Sequence, residues 1–221
     1  MVAKDLISQV IPSLKTSDLG QTALNWMEIF RISHLPIVNN QEFLGLISDS
    51  DIYDLNNPEE PIGNHTLKLF KPYVDSEQHI FEVIGLASRL KLTVVPVLDK
   101  NNHYKGVITT TDLVRHIAGL SSLDQPGGII VVELIERDYS LSQIAQIVES
   151  NNVKVLSMYI TSIPESTKLE VTLKVNTSDL TSVIKTFERY NYEVKTWVSG
   201  DDSMDSFYSE RFDMLMKYLN I

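Results

Sequence analysis

Gly45-Leu46-Ile47-Ser48-Asp49-Ser50-Asp51-Ile52 and, 61 residues later, Gly106-Val107-Ile108-Thr109-Thr110-Thr111-Asp112-Leu113 share one pattern, Gly-h-h-[Ser/Thr]-x-x-Asp. Upstream of each lies a Pro-containing apolar run. Arg31-Ile32-Ser33-His34-Leu35-Pro36-Ile37-Val38 aligns with Lys91-Leu92-Thr93-Val94-Val95-Pro96-Val97-Leu98 at an offset of 60. One residue inserted in the following turn accounts for the change of offset. The chain therefore carries two copies of one unit, and this repeat decides the fold.

Each copy has the same local grammar. A polar start (Thr16-Ser17-Asp18; Asp75-Ser76-Glu77) precedes apolar residues at helical spacing, Ala23-Leu24-Met27-Phe30 in one copy and Ile80-Val83-Ile84-Ala87 in the other. Polar caps ahead of such spacing predict a helix. Strands are predicted at Leu35–Val38 and Thr93–Leu98, then across a polar turn at Phe43–Ile47 and Tyr104–Ile108. Asp51–Leu55 and Asp112–Ile117 close the two units as helices. Each unit thus reads helix–strand–turn–strand–helix, at about 1–60 and 61–120.

The rhythm changes after Ser121-Ser122-Leu123-Asp124-Gln125-Pro126-Gly127-Gly128, whose Ser, Pro and Gly content marks a linker. Ile129–Ile135 reads as a strand, Ser140–Ser150 as a helix, and Val153–Thr161 and Leu169–Val175 as alternating strands around Pro164-Glu165-Ser166. Thr177-Ser178-Asp179 is placed to cap a helix carrying Leu180, Val183, Ile184 and Phe187, and Tyr192–Val198 is a last strand. The order β-α-β-β-α-β is that of a ferredoxin-like, split βαβ domain. An amphipathic helix is predicted over 203–219, with Phe207, Phe212, Met214, Leu215 and Tyr218 on or near one face. The fold class is α/β (α+β).

Composition narrows function. Of 221 residues, 43% are apolar and 22% charged, which is ordinary for a globular chain. Nineteen Lys and Arg against 29 Asp and Glu leave a net charge of −10. Affinity from phosphate counterion release is closed to so acidic a chain, and no nucleic-acid partner is expected. No apolar run reaches the ~18 residues of a membrane span, and no secretory signal is visible, so a cytoplasmic location is expected. Cysteine is absent, which removes disulfides, thiol nucleophiles and thiolate metal sites. The histidines at 34, 65, 79, 103 and 116 have no partner three or four residues away, the spacing of a helix-borne metal pair. No P-loop, Rossmann fingerprint, nucleophile elbow or zinc-protease motif occurs. A non-catalytic role is expected.

The repeated corner admits two readings. Ser or Thr followed three residues later by an acid is a variant of the capping box, and capping alone explains it. A ligand site uses the same geometry. Amides at a helix start suit an anion, a hydroxyl at Ser48 or Thr109 can donate to phosphate, and a carboxylate at Asp51 or Asp112 can accept from both hydroxyls of a ribose. Asp49 and Asp54 flank the first corner with like charge, which opposes a polyphosphate. The second corner has Thr110 and Thr111 instead, with Arg115 and His116 a turn further on. The Thr109/Asp112 corner is the favoured one.

These features resemble the CBS domain: the Pro strand His34-Leu35-Pro36-Ile37-Val38 and the two Gly…Asp corners. The resemblance covers 1–120 as a tandem pair. It implies a pseudo-symmetric module that binds an adenine nucleotide (AMP, ADP, ATP, or a relative such as S-adenosylmethionine) in the clefts between repeats. By position, Ser48 and Asp51 would serve one cleft and Thr109 and Asp112 the other, with Arg31, His34 and Lys91 as candidate phosphate contacts; Arg115, a turn beyond the second corner, is a further candidate ligand residue from its charge. Residues 128–199 resemble an ACT domain in element order and in Gly127-Gly128 leading into the first strand. Where ligand-binding members carry Pro-Gly, this chain has Asp138-Tyr139-Ser140-Leu141, and the Cβ of Ser140 restricts backbone approach. A CBS pair followed by such a domain resembles the acetoin-utilisation, AcuB-type proteins. That resemblance implies a regulatory protein. A homodimer is expected because both modules expose sheet or helix faces that self-associate, with the second domain and the C-terminal helix serving assembly or a second ligand input. The alternative is an assembly module with a vestigial nucleotide site.

Overall fold

A computed structural model describes residues 1–55, 57–65 and 69–200, in two compact units, Met1–His116 and a second beginning at Ile117. The predicted helix at 203–219 lies outside the described residues.

In the first unit the first repeat runs α1 (Gly20–Phe30), β1 (His34–Asn39), β2 (Glu42–Ser48) and α2 (Asp49–Tyr53). The second runs β3 (Val74–Asp75), α3 (Ile80–Leu90), β4 (Val94–Leu98), β5 (Tyr104–Thr109) and α4 (Thr110–Leu120). The duplication extends to backbone irregularities. β1 and β2 pair antiparallel with a bulge at Ile37/Val38, and β4 and β5 pair antiparallel with a bulge at Val97/Leu98, 60 residues on. Leu35, Ile37, Ile47, Ile52, Ile80 and Ile108 are fully buried in one core shared by both repeats.

The helix caps differ from the predicted ones. Asp18 accepts from the Lys15 amide at 2.7 Å and so closes the preceding turn, while α1 begins after Leu19 with no side-chain cap. Asp75 likewise accepts from the Glu77 amide, and α3 is capped by His79 Nδ1, which accepts from Phe81 N at 3.3 Å. Asp, Ser and Thr satisfy local turns as readily as helix ends, and the sequence pattern is the same for both.

Each repeat also owns an element the pattern hides. Leu14 bridges β1 in parallel, as β3 bridges β4. The segments preceding the repeats are exchanged. Ser8 N donates to Val107 O at 2.8 Å on β5, and Leu46 N on β2 donates to Phe70 O at 2.8 Å. The segment leading into each repeat therefore hydrogen-bonds to the second strand of the other. Gly45 and Gly106 admit these segments. Their φ angles are +152° and +147°, and a Cβ would lie 2.7 Å from Leu69 Cβ at Gly45 and 2.4 Å from Ile7 Cγ2 at Gly106.

The second unit runs β6 (Ile129–Ile135), α5 (Leu141–Glu149), β7 (Val155–Ser162), β8 (Lys168–Val175), α6 (Thr181–Arg189) and β9 (Glu193–Val198). The strands lie in the order β7-β8-β6-β9, every neighbouring pair antiparallel, as expected of a ferredoxin-like sheet. Alternation buries Ile130, Val132, Leu169, Val171 and Leu173 in one core with Ile144, Val148, Val183 and Phe187 of the helices. Glu133, Lys168, Glu170 and Lys195 alternate on other positions of β6, β8 and β9, where Glu133 pairs with Lys168 and Glu170 with Lys195. Asp179 accepts from Thr181 N at 3.1 Å, just ahead of α6. Ser140 caps α5, accepting from Gln143 N at 3.4 Å, so the 138–141 stretch runs from the end of a short helical turn (Glu136–Asp138) through extended Tyr139 and Ser140 into a capped helix.

Candidate functional site

Both motif corners are strand ends that open directly into a helix. At the first, Ser48 Oγ accepts from Asp51 N at 3.1 Å and donates to Asp51 Oδ2 at 2.6 Å, and the same carboxylate oxygen accepts from Ser48 N at 2.8 Å. This is a complete capping box. Asp49 accepts from Ser50 N at 2.7 Å, Asp49 N donates to Ser33 O, and Asp51 N is taken by Ser48. All three amides of the first turn of α2 are thus engaged within the chain, and the helix is five residues long.

The second corner keeps the cap and changes the charge. Thr109, buried at 7% exposure, donates to Asp112 Oδ2 at 2.7 Å, and its hydroxyl accepts from Asp112 N at 3.0 Å. Arg115 Nη1 donates to Asp112 Oδ1 at 2.7 Å. The carboxylate is mostly shielded while the guanidinium stays in solvent, with side-chain exposures of 22% and 72%. Arg115 therefore neutralises Asp112, where Asp51 is exposed beside Asp49. With Thr110 in the place of Asp49, the Thr111 amide meets no side-chain acceptor among the described residues. This end of an 11-residue helix offers an anion one free amide, a neutralised carboxylate and an exposed guanidinium.

The other predicted residues fall in different places. Arg31 and Lys91 are equivalent, exposed, and left-handed (φ 55° and 53°) at the ends of α1 and α3, where a cation also complements the helix dipole. Arg31 lines a cleft of about 660 Å³ together with Ser33, Asp49 and Tyr53. It is therefore beside the first corner. Lys91 makes no hydrogen bond through its side chain among the described residues. His34 is half-buried, with Nδ1 3.0 Å from Thr93 Oγ1 and 3.4 Å from Thr93 N. Burial pushes its imidazole below the usual pKa, and Asp49 and Asp51 pull it partly back.

Two residues at this seam escaped sequence reasoning. Ser33 N donates to Thr93 Oγ1 at 3.0 Å, joining the repeats at equivalent positions. The signal was available as a hydroxyl residue three places before the Pro of both copies. Among the described residues no group of three or more His, Asp or Glu is arranged to hold a metal ion. None of their helices is long and apolar enough to cross a membrane.

The uncharacterised protein MJ1232 of Methanocaldococcus jannaschii is 24% identical over 124 residues, 49% of this chain, and the match spans 41% of that relative's length. A CBS domain pair/ACT domain protein from Thermotoga maritima aligns with a TM-score of 0.46 at 20% identity, over 54% of this chain and 98% of that one. CBSX2, solved in complex with AMP, aligns with a TM-score of 0.46 at 18% identity, over 53% of this chain and 96% of that one. The CBS domain family model matches residues 3–56 and 70–119, one match on each repeat. The first unit of this chain is a tandem CBS domain pair.

Proposed function

We propose that this chain is a non-catalytic regulatory protein whose CBS pair binds an adenine nucleotide, principally at the Thr109/Asp112 corner. CBS pairs are as a class regulatory nucleotide sensors, and the first unit belongs to that class. The observation that carries the choice of corner is the Asp112–Arg115 pair. A free carboxylate next to a phosphate costs Coulomb energy, and a carboxylate held by a guanidinium costs less while retaining lone pairs for ribose hydroxyls. The free Thr111 amide and the exposed Arg115 then favour the anionic tail. At the first corner, Asp49 fills the place an anion would take and adds like charge.

Binding regulates only if the ligand prefers one arrangement of the repeats or subunits over another. The second unit, which we read as ACT-like from its βαββαβ order, serves assembly or a second ligand input. Its counterpart of the Pro-Gly step is occupied by a capped helix start, which favours assembly. We place the whole with the AcuB-type proteins, as a homodimer.

A second reading has its own support. Thr109, Asp112 and Arg115 satisfy one another without any ligand, as expected of an assembly module with a vestigial site. Thermal unfolding with AMP, ADP, ATP and S-adenosylmethionine separates the two. A ligand at 100 times its dissociation constant adds ~2.7 kcal/mol to the state it binds. A melting shift with at least one of the four supports the sensor, and none with any of them supports the assembly module.

A further inference from the structure

The seam between the repeats is nearly symmetric and breaks at one histidine. Ser33 and Thr93 stand just ahead of β1 and β4. Their carbonyls accept the first amides of α2 and α4, Asp49 N and Thr110 N, each at 3.1 Å. Each seam residue is thus tied to its own corner. Across the seam, Ser33 N donates to the Thr93 hydroxyl at 3.0 Å. Symmetry would send Thr93 N to the Ser33 hydroxyl. It goes instead to His34 Nδ1 at 3.4 Å, and the Thr93 hydroxyl lies 3.0 Å from the same nitrogen. The residue equivalent to His34 is Val94, so the arrangement has no second copy.

We infer that His34 and Thr93 form a proton-sensitive clasp that couples the first corner to the second. With Nδ1 unprotonated, the ring accepts from Thr93 N and carries its proton on Nε2. Once Nδ1 is protonated it can only donate, to the Thr93 hydroxyl, and the Thr93 amide loses its acceptor. Thr93 O holds Thr110 N, so a change at Thr93 reaches the start of α4 beside Thr109 and Asp112. The charged groups that face His34 are Asp49 and Asp51 of the first corner, and from the second repeat Thr93 presents only uncharged groups. Burial disfavours the imidazolium more than these carboxylates favour it, so the ring takes up its proton below the ordinary histidine range. The inference deepens the nucleotide reading and rests on it for its consequence, because the Thr110 amide held by Thr93 O opens α4 at the favoured corner. The clasp itself needs no ligand.

Its test is therefore made on the ligand-free full-length protein, by NMR between pH 7.5 and 5. In the wild type the Thr110 amide shift should follow the His34 ring with a shared midpoint. In His34→Gln the Thr110 amide should lose its pH response over this range. Thr93→Val keeps the backbone amide and removes only the hydroxyl that accepts from the protonated ring, so there the Thr110 amide should follow the ring with a smaller shift, and Thr93→Ser should restore the full one. A Thr110 amide that ignores His34 in the wild type, or that keeps its pH response in His34→Gln, overturns the clasp. Neither result depends on whether a nucleotide binds, so failure here is separate from failure of the nucleotide reading.

Discussion

Replacing Gly106 by alanine tests why each corner motif begins with glycine. The substitution adds one Cβ at φ +147°, a region that costs side-chain-bearing residues about 1–3 kcal/mol. That Cβ also lies 2.4 Å from Ile7 Cγ2, an overlap that core overpacking prices at about 1–3 kcal/mol. The sum is about 2–6 kcal/mol of lost stability, read as a lowered midpoint in urea unfolding. The two parts can be separated, because Ile7 meets the new atom with its Cγ2 methyl, while its Cβ stays at an ordinary 3.8 Å. Ile7→Ala removes the overlap and leaves the backbone cost. The double variant should therefore lose about 1–2 kcal/mol less than the two singles added together. Gly45→Ala makes the contrast, since its Cβ would lie 2.7 Å from Leu69 Cβ and 2.9 Å from Phe70 O. Truncating Leu69 to alanine leaves both atoms in place, so no rescue is expected there. A neutral Gly106→Ala, or strict additivity with Ile7→Ala, would refute the claim that the motif glycines exist to admit the exchanged segments.

Other expectations follow from single residues. His34 is held neutral by burial, so its folded pKa lies below the ~6.5 of the unfolded chain. The stability this confers is fully present above pH ~6.5 and is lost as pH falls from there towards the folded value. Unfolding of His34→Gln followed from pH 7.5 to 5 should show a shallower decline than the wild type, and an equal or steeper decline would refute this. Ser140→Ala removes the cap of α5 and should cost about 1 kcal/mol in urea unfolding, with Ser140→Asp close to neutral. The Glu170–Lys195 pair is solvent-exposed at Lys195, and Glu170→Gln should change stability by less than about 1 kcal/mol.

The duplication was legible because its two copies preserve the Pro strand, the corner and even the length of the turn to within one residue. The second unit was legible because a strand with one buried face alternates, as Leu169–Val175 does, and because the order of its elements admits few topologies. The corner caps could be read from the Ser48/Asp51 and Thr109/Asp112 spacing. Polar starts at Asp18 and Asp75 misled, since a carboxylate that closes a turn leaves the same trace as one that caps a helix. The exchange of Ile7–Ser8 and Leu69–Phe70 left no local trace. A contact between residues a hundred positions apart, as from Ile7 to Gly106, has no periodicity to betray it. The Arg115–Asp112 pair sits at the i, i+3 spacing of a helix, and its effect on the choice of corner depends on the burial of Asp112, which sequence does not give.

Calorimetric titration of the wild type, Asp112→Ala and Asp51→Ala with AMP, ATP and S-adenosylmethionine reaches the central claim most directly. The account predicts saturable heat with at least one of them in the wild type, near-complete loss in Asp112→Ala and a small change in Asp51→Ala. No heat with any ligand would contradict nucleotide sensing. Equal weakening by the two variants, or a larger loss in Asp51→Ala, would contradict the assignment of the site to the Thr109/Asp112 corner.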